Sequence, residues 1–103
     1  MADRDPALEW ENRVVLMAIR ALLGLVSPTL RGVAVEVDGT AITVHFAVSA
    51  LAETTQEDID DAVGDIEGLL LAEAPEVRSR IFVGSAGPGW EGRQHRLILL
   101  AKE

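Results

Sequence analysis

Residues 30–46 read Leu30-Arg31-Gly32-Val33-Ala34-Val35-Glu36-Val37-Asp38-Gly39-Thr40-Ala41-Ile42-Thr43-Val44-His45-Phe46, and the fold turns on how this stretch pairs with itself. Asp38-Gly39 is the dipeptide that a two-residue type I′ hairpin turn favours, because both turn positions need positive φ. Pairing Val37 with Thr40 sets Val35 opposite Ile42, Val33 opposite Val44 and Arg31 opposite Phe46. Opposed residues of a hairpin lie on the same face. One face is therefore apolar, and Gly32, Ala34, Glu36, Thr43 and His45 share the other, outward one.

The apolar face needs a cover, and the flanking segments supply it. Upstream, Asp5 suits an N-cap and Pro6 the first helical position, where its missing N–H costs nothing. Leu8, Val15, Ile19, Leu22 and Val26 then recur at helical spacing with Val14 and Leu23 alongside; Gly24 and Ser27-Pro28 stop the helix, which is expected over residues 6–24. Downstream, Thr54-x-x-Glu57 or Thr55-x-x-Asp58 reads as a capping box. Ile59, Ala62, Val63, Ile66, Leu69 and Leu70 follow at helical spacing up to the break before Pro75. Val77–Val83 and Arg96–Ala101 read as strands, with a flexible loop from Ser85 to Gly92 between them. The order αββαββ implies an α+β two-layer sandwich, a mostly antiparallel four-stranded sheet covered on one face by two helices. With 103 residues it forms a single domain, 1–103.

Composition narrows the function classes. An apolar fraction of 49 % excludes intrinsic disorder, and a net charge of −8 opposes binding to nucleic acid or an anionic membrane. Met1-Ala2-Asp3-Arg4-Asp5-Pro6 lacks the basic-then-apolar layout of a signal peptide and no apolar run is long enough to span a bilayer, so a cytoplasmic protein is expected. The absence of cysteine removes a disulfide framework, a thiolate zinc site and a cysteine nucleophile together. The charge is also segregated. From Gly32 to Val77 there are eleven acids and not one Lys or Arg, whereas residues 78–103 hold five bases against two acids. Most of the central acids fall on the exposed side of the second helix, together with Gly64 and Gly68. Each glycine costs about 1 kcal/mol relative to Ala in a helix interior, so the pair marks either a helix held by its buried face alone or a small-residue notch for another surface.

Sites of chemistry are sparse. Nucleophilic catalysis needs a hydroxyl or thiol beside an oriented base, and the chain offers His45 and His95, each read as a satisfied or exposed strand histidine. Asp58-Ile59-Asp60-Asp61 fails as an EF-hand, because the glycine falls at the seventh position and the distal Glu is missing. The loop Gly84-Ser85-Ala86-Gly87-Pro88-Gly89 lacks the Lys-Ser/Thr of a phosphate loop and is followed by a strand. No catalytic residue, cofactor or metal ligand is expected. Trp90, at the end of this loop, is either tucked onto the sheet edge or exposed as a contact residue.

The segment Ala18-Ile19-Arg20-Ala21-Leu22-Leu23-Gly24-Leu25-Val26-Ser27-Pro28-Thr29-Leu30-Arg31-Gly32-Val33-Ala34-Val35-Glu36 resembles a block found in small bacterial immunity proteins of contact-dependent growth inhibition and related polymorphic toxin systems. Ala74-Pro75-Glu76 and Lys102-Glu103 look like later landmarks of the same group. The resemblance covers roughly residues 17–103; residues 1–13 extend beyond it, and the Gly-rich loop leading to Trp90 has no clear counterpart in it. It implies a binding protein without catalysis of its own, which neutralises a cognate toxin domain by occluding its active site. The charge pattern agrees: an acidic helix face suits a basic toxin such as a nuclease and speeds association. The expected contact residues are Glu53, Glu57, Asp58, Asp60, Asp61, Asp65 and Glu67, with Trp90 as an anchor. Two other readings compete. In one, the outward hairpin face or an edge strand makes a homodimeric structural or regulatory module. In the other, an enzyme, His45 or His95 sits in a pocket beside a carboxylate.

Overall fold

In a computed structural model, residues 5–23 and 28–101 are described. Helix α1 spans Pro6–Leu22, strands β1 and β2 span Leu30–Asp38 and Ala41–Val48, helix α2 spans Glu53–Leu69, and strands β3 and β4 span Glu76–Val83 and Arg96–Leu100. Short 3-10 turns at Leu71–Glu73 and Glu91–Gln94 precede β3 and β4. The sheet order is β3-β2-β1-β4. β1 runs antiparallel to both β2 and β4, while β2 and β3 are parallel. A parallel pair requires a crossover, and α2 is that crossover, which sets it on the sheet beside α1.

The hairpin forms with its turn one residue later than the Asp38-Gly39 pattern suggests. Asp38 pairs with Ala41, Val37 with Ile42, Val35 with Val44 and Val33 with Phe46, leaving Gly39-Thr40 as the turn. Gly39 has φ +59° and Thr40 does not enter the positive-φ region. Glycine at the first central position alone is the requirement of a type II′ turn, so threonine is tolerated at the second. Both registers sort the same residues onto the same faces, so the alternation by itself does not separate them. The observed register replaces Arg31 with Val33 opposite Phe46, which keeps a charge out of the core.

The inner face of the sheet, Val33, Val35, Ile42, Val44, Phe46 and Val48, meets Val14, Ala18 and Ala21 of α1 and Ile59 and Ile66 of α2 in one buried cluster. Asp5 caps α1 by accepting from the amides of Ala7 and Leu8 at 3.0 and 3.3 Å, and Pro6 follows as the first helical residue, as expected. The buried stripe of α1 differs from the expected one. Trp10, Val14, Met17, Ala18 and Ala21 face inward, whereas Ile19 and Leu23 are 40 % and 79 % exposed and Leu8 is exposed as well. The indole of Trp10 explains the rotation. Its Nε1–H donates to the Gly39 carbonyl at 2.7 Å, pinning the helix to the hairpin turn, and the small Ala18 and Ala21 let the backbone come close to the sheet. Gly24, Val26 and Ser27 lie outside the described residues.

Helix α2 begins earlier than the capping-box reading, with Ala52 at the N-cap and Thr55 at the third helical position. Thr55 Oγ1 accepts from the Ala52 amide at 3.4 Å, which is the reciprocal half of a capping box without the N-cap hydroxyl. The larger departure is on the outer face of the sheet. The segment expected to be a flexible loop folds back over it, and Trp90, 2 % exposed, packs with Ala34, Ala47 and Ala86 into a second cluster. Gly32 makes room for this. A Cβ there would lie 2.8 Å from the Ala86 Cβ and 2.9 Å from the Trp90 ring. The hairpin is thus covered on its inner face and, around Gly32, Ala34, His45 and Ala47, on its outer face as well.

Gly32→Ala is expected to force Trp90 off its seat and to cost about 1–3 kcal/mol, the range for overpacking a filled site, read as a lower midpoint of chemical denaturation. A substitution without measurable effect would show that Trp90 does not hold this face.

Candidate functional site

Helix α2 presents two unlike sides. At about 100° per residue, Thr55, Ile59, Ala62 and Ile66 gather on the buried side, and Glu53, Glu57, Asp58, Asp60, Asp61, Asp65 and Glu67 spread over about half of the helix circumference facing away. All seven are solvent-accessible, Asp58 least so. The ion pairs among the described residues engage other acids: Arg13 with Glu73, Arg78 with Glu76, Arg80 with Glu91 and Arg96 with Glu11. None of the seven α2 carboxylates takes part in one. Gln56 Nε2 donates locally to Asp60 at 2.9 Å. Gly64 and Gly68 lie on the exposed surface of this helix, and a Cβ on either would meet nothing within 4 Å. No part of the described chain fills the notch; with Arg20 and Ala21 of α1 it lines a shallow cavity.

Trp90 does not join the acidic face. It lies on the opposite side of the sheet, and as a nearly inaccessible ring it offers a partner almost no surface, so the exposed-contact reading gives way to the packed one. A sequence signal for this exists in retrospect: Gly32, Ala34 and Ala47 make the outward face of the hairpin too small to be left in water beside an unassigned tryptophan.

The same outer face holds residues that the sequence keeps apart. His45 is 1 % exposed rather than projecting into solvent, and His95 stacks on it with ring centroids 4.9 Å apart and planes 15° from parallel. Glu36 Oε1 lies 2.9 Å from His45 Nε2 and 3.3 Å from His95 Nε2. The hydrogen bond from His45 holds the Glu36 carboxyl below its ordinary range, against the opposing effect of burial and with help from the nearby His95 ring and the Arg80 guanidinium. Glu91, bound to Arg80 at 3.1 Å, completes the group. Glu36 and His45 are diagonal neighbours in the hairpin and share a face by register. Glu91 and His95 arrive only when the loop closes.

Both histidines therefore meet a carboxylate, as the enzymatic reading requires. The geometry is unlike that of a general base, however. Two parallel rings aim their Nε2 atoms at one oxygen, an arrangement that shares a proton or cation between them rather than orienting a single imidazole toward a nucleophile.

Fold and surface together define a small α+β protein with an acidic helix whose seven carboxylates form no ion pair among the described residues. Compared with known protein families, residues 11–82 match the model of the MafI2 immunity protein. The match covers most of the chain, which belongs to this family. It starts before the resemblance block and ends at Phe82, ahead of the Gly-rich loop. The landmark Lys102-Glu103 lies outside both the match and the described residues. A search of curated proteins returns no match. Among the described residues no helix is long and apolar enough to cross a membrane.

The open notch allows a direct measurement. Gly64→Ala is expected to raise stability by about 0.5–1 kcal/mol, the usual gain for replacing a helix glycine that nothing crowds, seen as a higher Tm. A loss of stability would mean that the chain itself packs into the notch.

Proposed function

We propose that this protein acts in the cytoplasm and neutralises a cognate toxin domain of basic surface, such as a nuclease, by covering its active site without catalysis of its own. Delivery of that toxin by contact-dependent growth inhibition or a related polymorphic system is part of the proposal. The observation that carries it is the set of seven α2 carboxylates with no ion pair among the described residues, on a chain of an immunity protein family. Mutual repulsion on one helix opposes folding, and a basic partner surface relieves it. The same field speeds encounter, toward ~10⁸ M⁻¹s⁻¹ or more at low salt. Glu53, Glu57, Asp58, Asp60, Asp61, Asp65 and Glu67 form the contact face in this proposal; Trp90 supports the fold behind it.

The test uses the toxin domain encoded beside this gene. Stoichiometric addition is expected to abolish toxin activity, and the variant Glu57→Gln/Asp58→Asn/Asp61→Asn/Asp65→Asn is expected to associate at least about tenfold more slowly at low salt, with a flatter salt dependence in stopped-flow traces. Full toxin activity in the presence of excess protein sinks the proposal. An unchanged association rate moves the contact away from α2.

A second reading, a homodimeric module, now rests on an edge strand. The outward hairpin face cannot pair with a copy of itself, because the Trp90 loop covers it. The edge strand β3 carries exposed Glu76, Arg78 and Arg80, charges that discourage strand addition. At the other edge β4 exposes Leu97, Leu99 and Leu100 at 41–47 % and carries a charge only at Arg96. Antiparallel pairing of two β4 strands would continue the sheet across a two-fold axis. Sedimentation velocity is expected to show a concentration-dependent dimer that Leu99→Lys abolishes; a strictly monomeric species at high concentration removes this reading.

A further inference from the structure

The outer-face cluster has the composition of a metal site. One donor atom from each of Glu36, His45, Glu91 and His95 lies within 4.8 Å of all the others. They come from β1, β2, the 3-10 turn and the residue that ends it. We propose that these four side chains bind one divalent transition-metal ion of the zinc class.

Bond lengths set the first requirement. Zinc holds imidazole nitrogen at about 2.0–2.1 Å and carboxylate oxygen at about 2.0–2.2 Å, which places neighbouring ligands of a tetrahedron roughly 3.3–3.5 Å apart. The separations of Glu36 Oε1 from the two Nε2 atoms, 2.9 and 3.3 Å, are already close to that edge, so binding asks for adjustments of tenths of an ångström there and a somewhat larger inward swing elsewhere. Donor chemistry sets the second. Calcium and magnesium prefer six or more oxygens, whereas two imidazoles with two carboxylates suit zinc, copper or nickel, and a four-ligand set of this kind suits zinc best. Rigidity sets the third. His45 is fixed within β2 and stacked by His95, so little side-chain freedom remains to be lost.

One group opposes the ion. Arg80 donates to Glu91 Oε1 and places a guanidinium beside the site. Its side chain is largely exposed and can stay on one carboxylate oxygen while the other turns inward. With neutral imidazoles, two carboxylates against one guanidinium leave a net negative charge for a divalent cation. Ligation needs the Nε2 atoms free of protons, so each ring must carry its proton on Nδ1 and affinity falls as the histidines become charged. A bound ion would tie the 3-10 turn to β1 and β2 and fasten the loop that seats Trp90.

The experiment titrates Zn²⁺, and Co²⁺ as a spectroscopic probe, into tag-free, chelator-treated full-length protein. Calorimetry is expected to give one ion per chain, and Co²⁺ the intense visible absorption of a four-coordinate site. His95→Ala and Glu91→Gln, which change the accessible half of the cluster, are expected to weaken binding at least about tenfold, with an unaltered far-UV spectrum confirming the fold. The α2 variant with four acids neutralised is expected to bind as the parent does. Affinity that survives His95→Ala, binding lost only in the α2 variant, or no binding at millimolar metal each overturns the proposal.

Discussion

The hairpin of β1 and β2 lies at the centre of the sheet, with β3 on one side and β4 on the other, and carries buried apolar residues on both faces. Each face is covered differently. Helices α1 and α2 shield Val33, Val35, Ile42, Val44 and Phe46, and the segment carrying Ala86 and Trp90 shields Ala34 and Ala47. The first cover is a conventional helix layer. The second depends on a single large ring seated over a glycine. The two covers are coupled through the strands they share, since displacing Trp90 wets the backs of the residues whose fronts form the main core.

Charge follows the same division. The inner layer ends in the acidic side of α2, whereas Arg78, Arg80 and Arg96, on β3 and β4, find Glu76, Glu91 and Glu11. Surface pairs of this type contribute little, commonly under about 1 kcal/mol. Their effect is rather to engage these three bases locally. Among the described residues the seven α2 carboxylates stay outside such pairs, and a field concentrated on one helix discriminates among partners more strongly than the same net charge spread evenly.

Much of this architecture was legible in the residues. Alternation in 30–46 gave the two-faced hairpin because a period of two is unambiguous when one face is wholly apolar. Asp5-Pro6 marked the start of α1 because capping is a local matter. What escaped was long-range. The rotation of α1 is set by one hydrogen bond between Trp10 and a carbonyl 29 positions away, and no helical periodicity encodes that when Leu8, Ile19 and Leu23 offer a rival stripe. The hairpin register differed by a step that preserves parity, to which alternation is blind. The histidine cluster escaped for a similar reason: Glu36 and His45 could be set on one face, but His95 and Glu91 join them only through the fold of a Gly-rich segment whose path no pattern dictates.

The separation of the two faces bears on how such a protein can acquire a partner. In α2 the fold is held by Thr55, Ile59, Ala62 and Ile66, and the seven carboxylates stand on positions whose side chains support none of the core. Substitution at surface sites of this kind commonly changes stability by no more than about 0.5 kcal/mol. The contact face proposed here can therefore be redrawn almost freely, whereas the outer face cannot, because Trp90 fills the space over Gly32 and the two histidines stack on each other. A scaffold divided in this way lets recognition change without disturbing the core. The glycines in α2 fit the same logic: Gly64 and Gly68 weaken a helix that its buried side already holds, and leave beside the carboxylates a shallow place where another surface can approach the backbone.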